Sequence, residues 1–394
     1  MELVLNVFTL NCWGIPVISK NRKERIEAIA KYLIASQHNI VCLQEVWSEA
    51  DYLYLEEKLS PNLPYSHYFY SGVLGSGLCV FSKWMIQDVF FHQWPLNGYI
   101  HKIQHGDWFG GKGVGLCRIK ICDLLVNVYC THLHAEYHKD DMYIAHRVLQ
   151  AYSTGEFVKL TSCSADISIL AGDLNTAPGD LAFRLITHIS NLKDPFDMEI
   201  LGSNPSIAKP SGTCENINNS YTNAKLCNDD CAEGKRIDHI LFTTDPELQP
   251  MIINFGNPLQ DRVPEQEFSY SDHNAVALEL KIKQTQNKRI IKREMSKCTV
   301  YNDIITEAEN ICENALHSIK SYRKIFLIMG AILFLFLIGT AGIWRKSVLC
   351  DIFKILLTAI SLYCIVMGLL WSKIEMNSLK AGISGLKNIR KREN

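Results

Sequence analysis

Short apolar runs, each closing on a polar residue, alternate with helix-period segments through the first part of the chain. That rhythm predicts one layered α/β domain rather than two small ones. Leu3 to Leu10 and Asn39 to Gln44 read as strands. Between them Arg22 to Ser36 forms an amphipathic helix with Ile26, Ile29, Ala30, Leu33 and Ile34 on one face. A second helix covers Asp51 to Leu59 and is stopped by Pro61. Strands follow at Leu78 to Phe81, Val89 to Gln93, Val114 to Ile121 and Leu124 to Cys130, with turns at Asn97-Gly98 and Cys122-Asp123. A long helix at Asp141 to Leu160, a short strand at Ser168 to Ala171, a helix at Asp180 to Ile189 and strands at Arg236 to Thr243 and Asn274 to Ile282 complete the series. Two mixed sheets packed face to face, with helices outside, accommodate this order and bring the polar strand ends to one rim.

The pattern changes after residue 283. Ile325 to Trp344 is a run of 20 residues without a charge, which at helical rise covers about 30 Å, the thickness of a bilayer's hydrocarbon core. Ile355 to Trp371 adds 17 more and reaches spanning length if Val348 to Lys354 is included; Asp351 and Lys354 then share one helical face. The alternative is a buried helical hairpin in a soluble domain, but the first run has no polar face. Ahead of it, Ile304, Ile305, Ala308, Ile311, Ala315 and Ile319 recur at helical spacing, which suits a helix joining the domain to the membrane or one packed on the domain. The expected organisation is a layered domain over 1–283, a basic connector over 284–322, a transmembrane hairpin over 323–373 and a basic tail over 374–394.

Charge divides along the same line. Residues 1–283 carry 23 Lys and Arg against 33 Asp and Glu, and residues 284–394 carry 17 against 8, so a nearly neutral chain joins an acidic part to a basic one. A basic tail beside two spans suits an anionic membrane surface. Lys and Arg are concentrated before the first span and after the second, with only Arg345 and Lys346 in the turn, so both ends are expected in the cytosol, on the endoplasmic reticulum or another intracellular membrane. Met1 to Leu10 lacks a basic n-region or cleavage site, so no secretory signal is expected. The 14 cysteines are irregularly spaced and are expected to be mostly free thiols. Cys214, Cys227 and Cys231 offer three of the four ligands zinc would need, without a tightly spaced fourth.

The polar residues that close the strands form a set. In order they are Asn11, Glu45, His132, Asp173 with Asn175, Asp238, and Asp272 with His273. Metal-assisted phosphodiester hydrolysis needs a hard cation, a base for water and donors for the growing charge on phosphorus. Glu45, after the apolar Ile40 to Leu43, suits Mg²⁺, with Asn11 beside it. His273 is the candidate base and Asp238 the carboxylate that fixes its tautomer. Asp173 and Asn175 can align water and phosphate, and His132 can donate to a phosphate oxygen. Lys112, in the Gly110-Gly111-Lys112-Gly113 turn, supplies a possible point charge for the substrate. The acidic first part has no bulk basic face, so no nucleic-acid partner is expected.

The series Asn11, Glu45, Asp173-Leu174-Asn175, Arg236-Ile237-Asp238 and Ser271-Asp272-His273 resembles the endonuclease/exonuclease/phosphatase superfamily over about residues 4–283. More narrowly, Asn11-Cys12-Trp13-Gly14, Cys42-Leu43-Gln44-Glu45-Val46-Trp47, Phe109-Gly110-Gly111-Lys112-Gly113 and Thr131-His132-Leu133-His134-Ala135-Glu136-Tyr137 are similar to the neutral sphingomyelinases, and the paired C-terminal spans to the smaller members of that group. The resemblance implies a four-layered α/β sandwich. It also implies a divalent metal on Glu45, a proton accepted by His273, substrate positioned by Asn175, Asp238 orienting His273, and His132 facing the phosphate, with Asp173 and Asp272 completing the polar rim. The implied reaction is Mg²⁺-dependent hydrolysis of sphingomyelin to ceramide and phosphocholine, or of a related choline phospholipid such as a lysophospholipid. The implied partners are a bilayer and its anionic lipids.

Overall fold

The computed structural model describes residues 2–102, 105–137, 140–196, 212–222, 234–284, 298–343 and 347–393. They fall into two compact units, Met1–Lys297 and Cys298–Asn394. Cys227, Cys231 and the connector's Lys288, Arg289, Lys292, Arg293 and Lys297 lie outside the described residues.

The first unit is built on β1 (Glu2–Asn11), α1 (Arg22–Ala35), β2 (Ile40–Gln44), α2 (Glu49–Leu59), β3 (Tyr65–Tyr68), β4 (Cys79–Ser82) and β5 (Ile86–Gln93), then β6 (Gly113–Ile121), β7 (Leu124–His132) and α3 (Ile144–Thr161). It closes with β8 (Ile167–Asp173), α4 (Leu181–Ser190), β9 (Asp238–Thr244), β10 (Leu248–Gly256) and β11 (Val276–Gln284). One sheet runs β10-β11-β1-β2-β4-β3 and the other β5-β6-β7-β8-β9. Both are mixed, with β1 parallel to β2 and β7 parallel to β8. Leu5, Val7, Ile40, Cys42, Val80 and Leu280 of the first sheet meet Ile119, Val128, Ile169, Ala171, Ile240 and Phe242 of the second in one core. The first sheet's other face, with Phe8, Leu10, Val41 and Leu43, packs on Ile26, Ile29 and Leu33 of α1 and Leu55 of α2. α3 and α4 pack together, and the Tyr129 hydroxyl joins the Thr161 hydroxyl at 2.7 Å to tie α3 to β7. Because β2 and β8 are buried along their whole length, their centres, Ile40 to Leu43 and Ile169 to Ala171, are unbroken apolar runs, as in interior strands covered on both faces.

In the second unit the described part of the connector, from Cys298, and the first apolar run as far as Gly339 are one helix, α5 (Cys298–Gly339). After a turn, α6 (Val348–Val366) leads through a single π-helical turn, Met367–Trp371, into α7 (Ser372–Glu393). Two of the helical stretches are long and apolar enough to cross a membrane. Small residues let them approach: Ser361 Oγ donates to Gly330 O at 3.0 Å, and Arg323 Nε to Gly368 O at 3.0 Å. The segment read as a basic tail is helical and pairs with the N-terminal half of α5. Ile304, Ala308, Cys312 and Ile319 are buried, as are Leu379, Ile383, Leu386 and Ile389, and Lys387–Glu313 (2.7 Å) and Arg390–Glu309 (2.9 Å) flank the seam.

Candidate active site

The polar strand ends converge because of strand register. Asn11 faces Gln44 across β1 and β2, His132 faces Asp173 across β7 and β8, and Asp173 faces Asp238 across β8 and β9. Each motif residue is therefore delivered to the same rim of the two sheets. Glu45 follows β2 in the left-handed region, at φ +56°, and Asn175 follows β8 at φ +46°. Such conformations are costly for side chains other than glycine and cluster at functional sites. Two glycines make this packing possible. A Cβ on Gly14 would stand 2.3 Å from Glu45 O, and Gly172, at φ +151°, passes so close to β7 that a Cβ would reach 2.0 Å from Thr131 O.

Asn11 bridges two carboxylates, its Nδ2 donating to Glu45 Oε1 at 3.1 Å and Asp173 Oδ2 at 3.0 Å, while its Oδ1 accepts from Trp13 N–H at 3.0 Å. The remaining oxygen of Asp173 accepts from Asn175 N–H at 2.8 Å. Asn175 Nδ2 donates to Leu133 O at 3.0 Å, which holds the Asp173-Leu174-Asn175 turn against the end of β7. Burial, and then the neighbouring Asp238, raise the Asp173 carboxyl to about 7. Burial and Asp272 likewise raise Glu45.

His273 and Asp238 form the second feature. His273 Nδ1 lies 2.8 Å from Asp238 Oδ2, and its Nε2 is turned toward Asp173 Oδ2 at 4.0 Å. Burial alone would discharge the imidazole, but Cys214 and Asp238 outweigh it and hold His273 well above the ordinary histidine range. Burial also pushes the Cys214 thiol up, which weakens its part in that balance beside the 2.8 Å contact between His273 and Asp238. The loop carrying His273 is fixed by Ser271, whose Oγ donates to Asn11 O at 2.6 Å and lies 3.2 Å from Asp272 Oδ1. Burial raises Asp272. Arg236 and His239, from the same motif as Asp238, serve elsewhere: Arg236 Nη2 pairs with Asp194 at 2.6 Å and the guanidinium lies over Phe196, while His239 Nε2 meets Thr176 O at 2.9 Å.

His132 Nε2 is 3.4 Å from Asp173 Oδ2, 4.0 Å from Glu45 Oε1 and 3.3 Å from Lys112 Nζ. Burial, then Lys112, keep this imidazole well below its ordinary value, hence neutral. Lys112 is buried, ion-paired with Asp107, and donates to Leu133 O at 3.2 Å. An ammonium has three hydrogens, so Asp107, Leu133 and His132 satisfy it within the protein. Asp107 was not among the residues expected at the site. It receives Lys112 and the Tyr137 hydroxyl and lies 3.7 Å from His134 Nε2; burial opposes its ionisation, but Lys112 and His134 hold it well below the usual carboxylate range. Arg25 is a second residue sequence reasoning passed over. Fully buried, it donates to Cys12 O at 2.6 Å, Trp13 O at 2.7 Å and Tyr270 O at 3.3 Å, clamping the segments that follow Asn11 and precede His273.

The donor set fits a hard divalent cation. Glu45 Oε2 and Asp238 Oδ1 are buried and without a hydrogen-bond partner among the described residues. Asp173, Asp238 and His273 also offer ligand atoms within 4.8 Å of one another. Buried carboxylate oxygens without donors are costly unless something positive meets them.

The model of the Endonuclease/Exonuclease/phosphatase family matches residues 8–273. The chain belongs to this family. A Drosophila melanogaster protein named "Putative neutral sphingomyelinase" is 44% identical over 281 residues, a match covering 71% of this chain and 61% of that protein. A Caenorhabditis elegans protein of the same name is 34% identical over 404 residues, covering 98% and 91%. Among solved structures, a beta toxin of Staphylococcus aureus with bound magnesium ions superposes with a TM-score of 0.55 at 17% identity, over 70% of this chain and 99% of that one. The family's two-sheet fold is thus the expected fold class, in a chain that carries two further apolar helices.

Proposed function

We propose that the protein is a membrane-anchored, Mg²⁺-dependent phosphodiesterase of the phospholipase C type that hydrolyses sphingomyelin to ceramide and phosphocholine. The observation that carries the chemistry is the His273–Asp238 pair at 2.8 Å, facing a rim where Glu45 keeps an oxygen without a partner. The names of the relatives supply the substrate class. Glu45, with Asn11 behind it and the free oxygen of Asp238 across the site, would hold the cation. When bound, that cation supplies positive charge that neutralises phosphate and offsets the carboxylate field holding a proton on His273.

In this reading His273 accepts the proton of a water through Nε2 while Asp238 fixes the imidazole through Nδ1. The water oxygen bonds to phosphorus, the bond from phosphorus to the ceramide oxygen breaks, and the proton is passed on to the ceramide alkoxide. Asn175 positions the phosphate and donates to its oxygens as charge develops, while neutral His132, its Nε2 accepting from Lys112, lines that face of the site. Lys112, with its hydrogens engaged, contributes by fixing His132. Asp173 and Asp272 hold this array in register. The two apolar helices form the anchor, with the first unit and the C-terminal helix in the cytosol.

The test is parallel hydrolysis of sphingomyelin, lysophosphatidylcholine, phosphatidylcholine and DNA in detergent mixtures, with and without Mg²⁺. Sphingomyelin turnover that requires Mg²⁺ is the expected result. Preference for lysophosphatidylcholine would move the substrate within the choline lipids, and preference for DNA would overturn the lipid reading.

A further inference from the structure

Two short loops on the rim of the first unit expose large apolar side chains. After Gly14, whose N–H donates to Glu45 O at 2.9 Å, the chain rises into a loop where Val17 is fully exposed and Ile18 is 68% exposed. Val17 has φ +70°, a left-handed conformation that a β-branched residue adopts only at a cost. Between β3 and β4 lies an uncharged segment, Tyr70 to Gly77, in which Val73 is 77% and Leu74 is 56% exposed. The N–H groups of Val73 and Leu74 both donate to Phe109 O at 3.2 Å, which straps this second loop to the turn that carries Lys112. One apolar tip therefore hangs from the Glu45 side of the site and the other from the Lys112 side.

We infer that these two tips are the unit's own docking surface for a lipid bilayer, inserted between headgroups around the mouth of the site, independently of the membrane-spanning helices. The charge around the first tip selects this occupant. Lys20, two positions past Ile18, and Lys23 are exposed and stand nearer the tip than the exposed Glu24 and Glu27, so positive charge lies closest to the apolar side chains, where phosphate headgroups would meet it. Two small tips also suit a fluid surface, since each contributes only a few side chains. The inference rests on the lipid-substrate reading for its purpose, but its geometry does not depend on hydrolysis. A bilayer-seated mouth gives a lipid headgroup a short path to Glu45 and His273 without leaving the membrane surface.

The experiment uses the full chain in vesicles of phosphatidylcholine and phosphatidylserine. Photoreactive benzoylphenylalanine replaces Ile18, Leu74 or, as a control, Asp123, in the turn at the opposite end of β6 and β7. Irradiation should give phospholipid adducts at positions 18 and 74 at least about fivefold above position 123, as expected for side chains held among acyl chains. Equal labelling at all three, or adducts to a second copy of the chain or another protein at 18 and 74, would overturn the inference. In parallel, Val17→Asp combined with Ile18→Asp should slow hydrolysis of bilayer substrate about tenfold while detergent-dispersed substrate is turned over within about twofold of the parent rate. Equal slowing of both would mean the substitutions disturb the fold and would also count against docking. Lipid adducts without any sphingomyelin hydrolysis would sustain the surface and defeat the proposed substrate.

Discussion

Two buried polar clusters stand side by side in the first unit, and they are finished differently. In the Asp107–Lys112 cluster the charges have partners inside the protein: Lys112 reaches Asp107, His132 and Leu133, and Asp107 also receives Tyr137. In the neighbouring cluster of Glu45, Asp173, Asp238 and His273, carboxylates crowd together, Asp173 is pushed up to about 7, and Glu45 and Asp238 each keep an oxygen with no partner among the described residues. A polar network closed on itself serves the fold, whereas one left short of positive charge is waiting for a ligand. On the proposed function the contrast gives supporting work to the first cluster and chemistry to the second, and it can be tested from either side.

The largest effect is expected at His273. His273→Ala should lower kcat more than about a hundredfold with KM nearly unchanged, and Asp238→Asn should lose less because it misorients the imidazole rather than removing it. Wild-type turnover by His273→Ala would erase the distinction between the clusters. Glu45→Gln should come next, with activity and Mg²⁺ affinity each reduced at least about tenfold, read by Mg²⁺ titration of the rate. An unchanged Mg²⁺ dependence would move the cation to Asp173 and Asp238.

Asp107→Asn should behave differently. It leaves the Lys112 ammonium buried without its anion, so it should cost about 3 kcal/mol of stability in urea unfolding, while kcat falls by less than about tenfold in the folded protein. The smallest effect sharpens the comparison further. Asp107→Leu with Lys112→Met removes both charges and should regain most of the stability lost by Asp107→Asn, because no unpaired ion remains. A double variant as unstable as the single one would show that the pair does more than balance charge.

The interior strands were legible because they are buried on both faces: Ile40 to Leu43 and Ile169 to Ala171 are apolar without interruption. β3 and β10 are edge strands absent from the sequence reading, whereas the edge strand β5 is foreseen through Val89 to Gln93. Tyr65 to Tyr68 and Leu248 to Gly256 expose much of their length, and Pro250, which reads as a strand breaker, is tolerated at a sheet edge. Asn11, Glu45 and Asp173 stood out since each closes an apolar run, and His273 since it stands just before one, and the fold then brings them together. Asp107 gave no such signal. Its partners come from the Lys112 turn and the His134-Ala135-Glu136-Tyr137 run, and only the fold joins them. The C-terminal helix was hidden for the opposite reason, because its basic residues drew attention away from Leu379, Ile383 and Leu386, whose spacing of four and three residues forms the buried seam.

The unbroken helix Cys298–Gly339 has a mechanical meaning. At helical rise its 42 residues make a rod about 63 Å long, and no proline, loop or π turn divides the apolar half from the polar half. Its partner is different, with the π-helical turn Met367–Trp371 between the apolar stretch and the C-terminal helix. A bilayer that thickens or thins changes the tilt of the helices crossing it. With the proposed anchor such a tilt would be carried along the rod toward Cys298, whereas the partner is interrupted by its π turn, where Arg323 donates to Gly368 O.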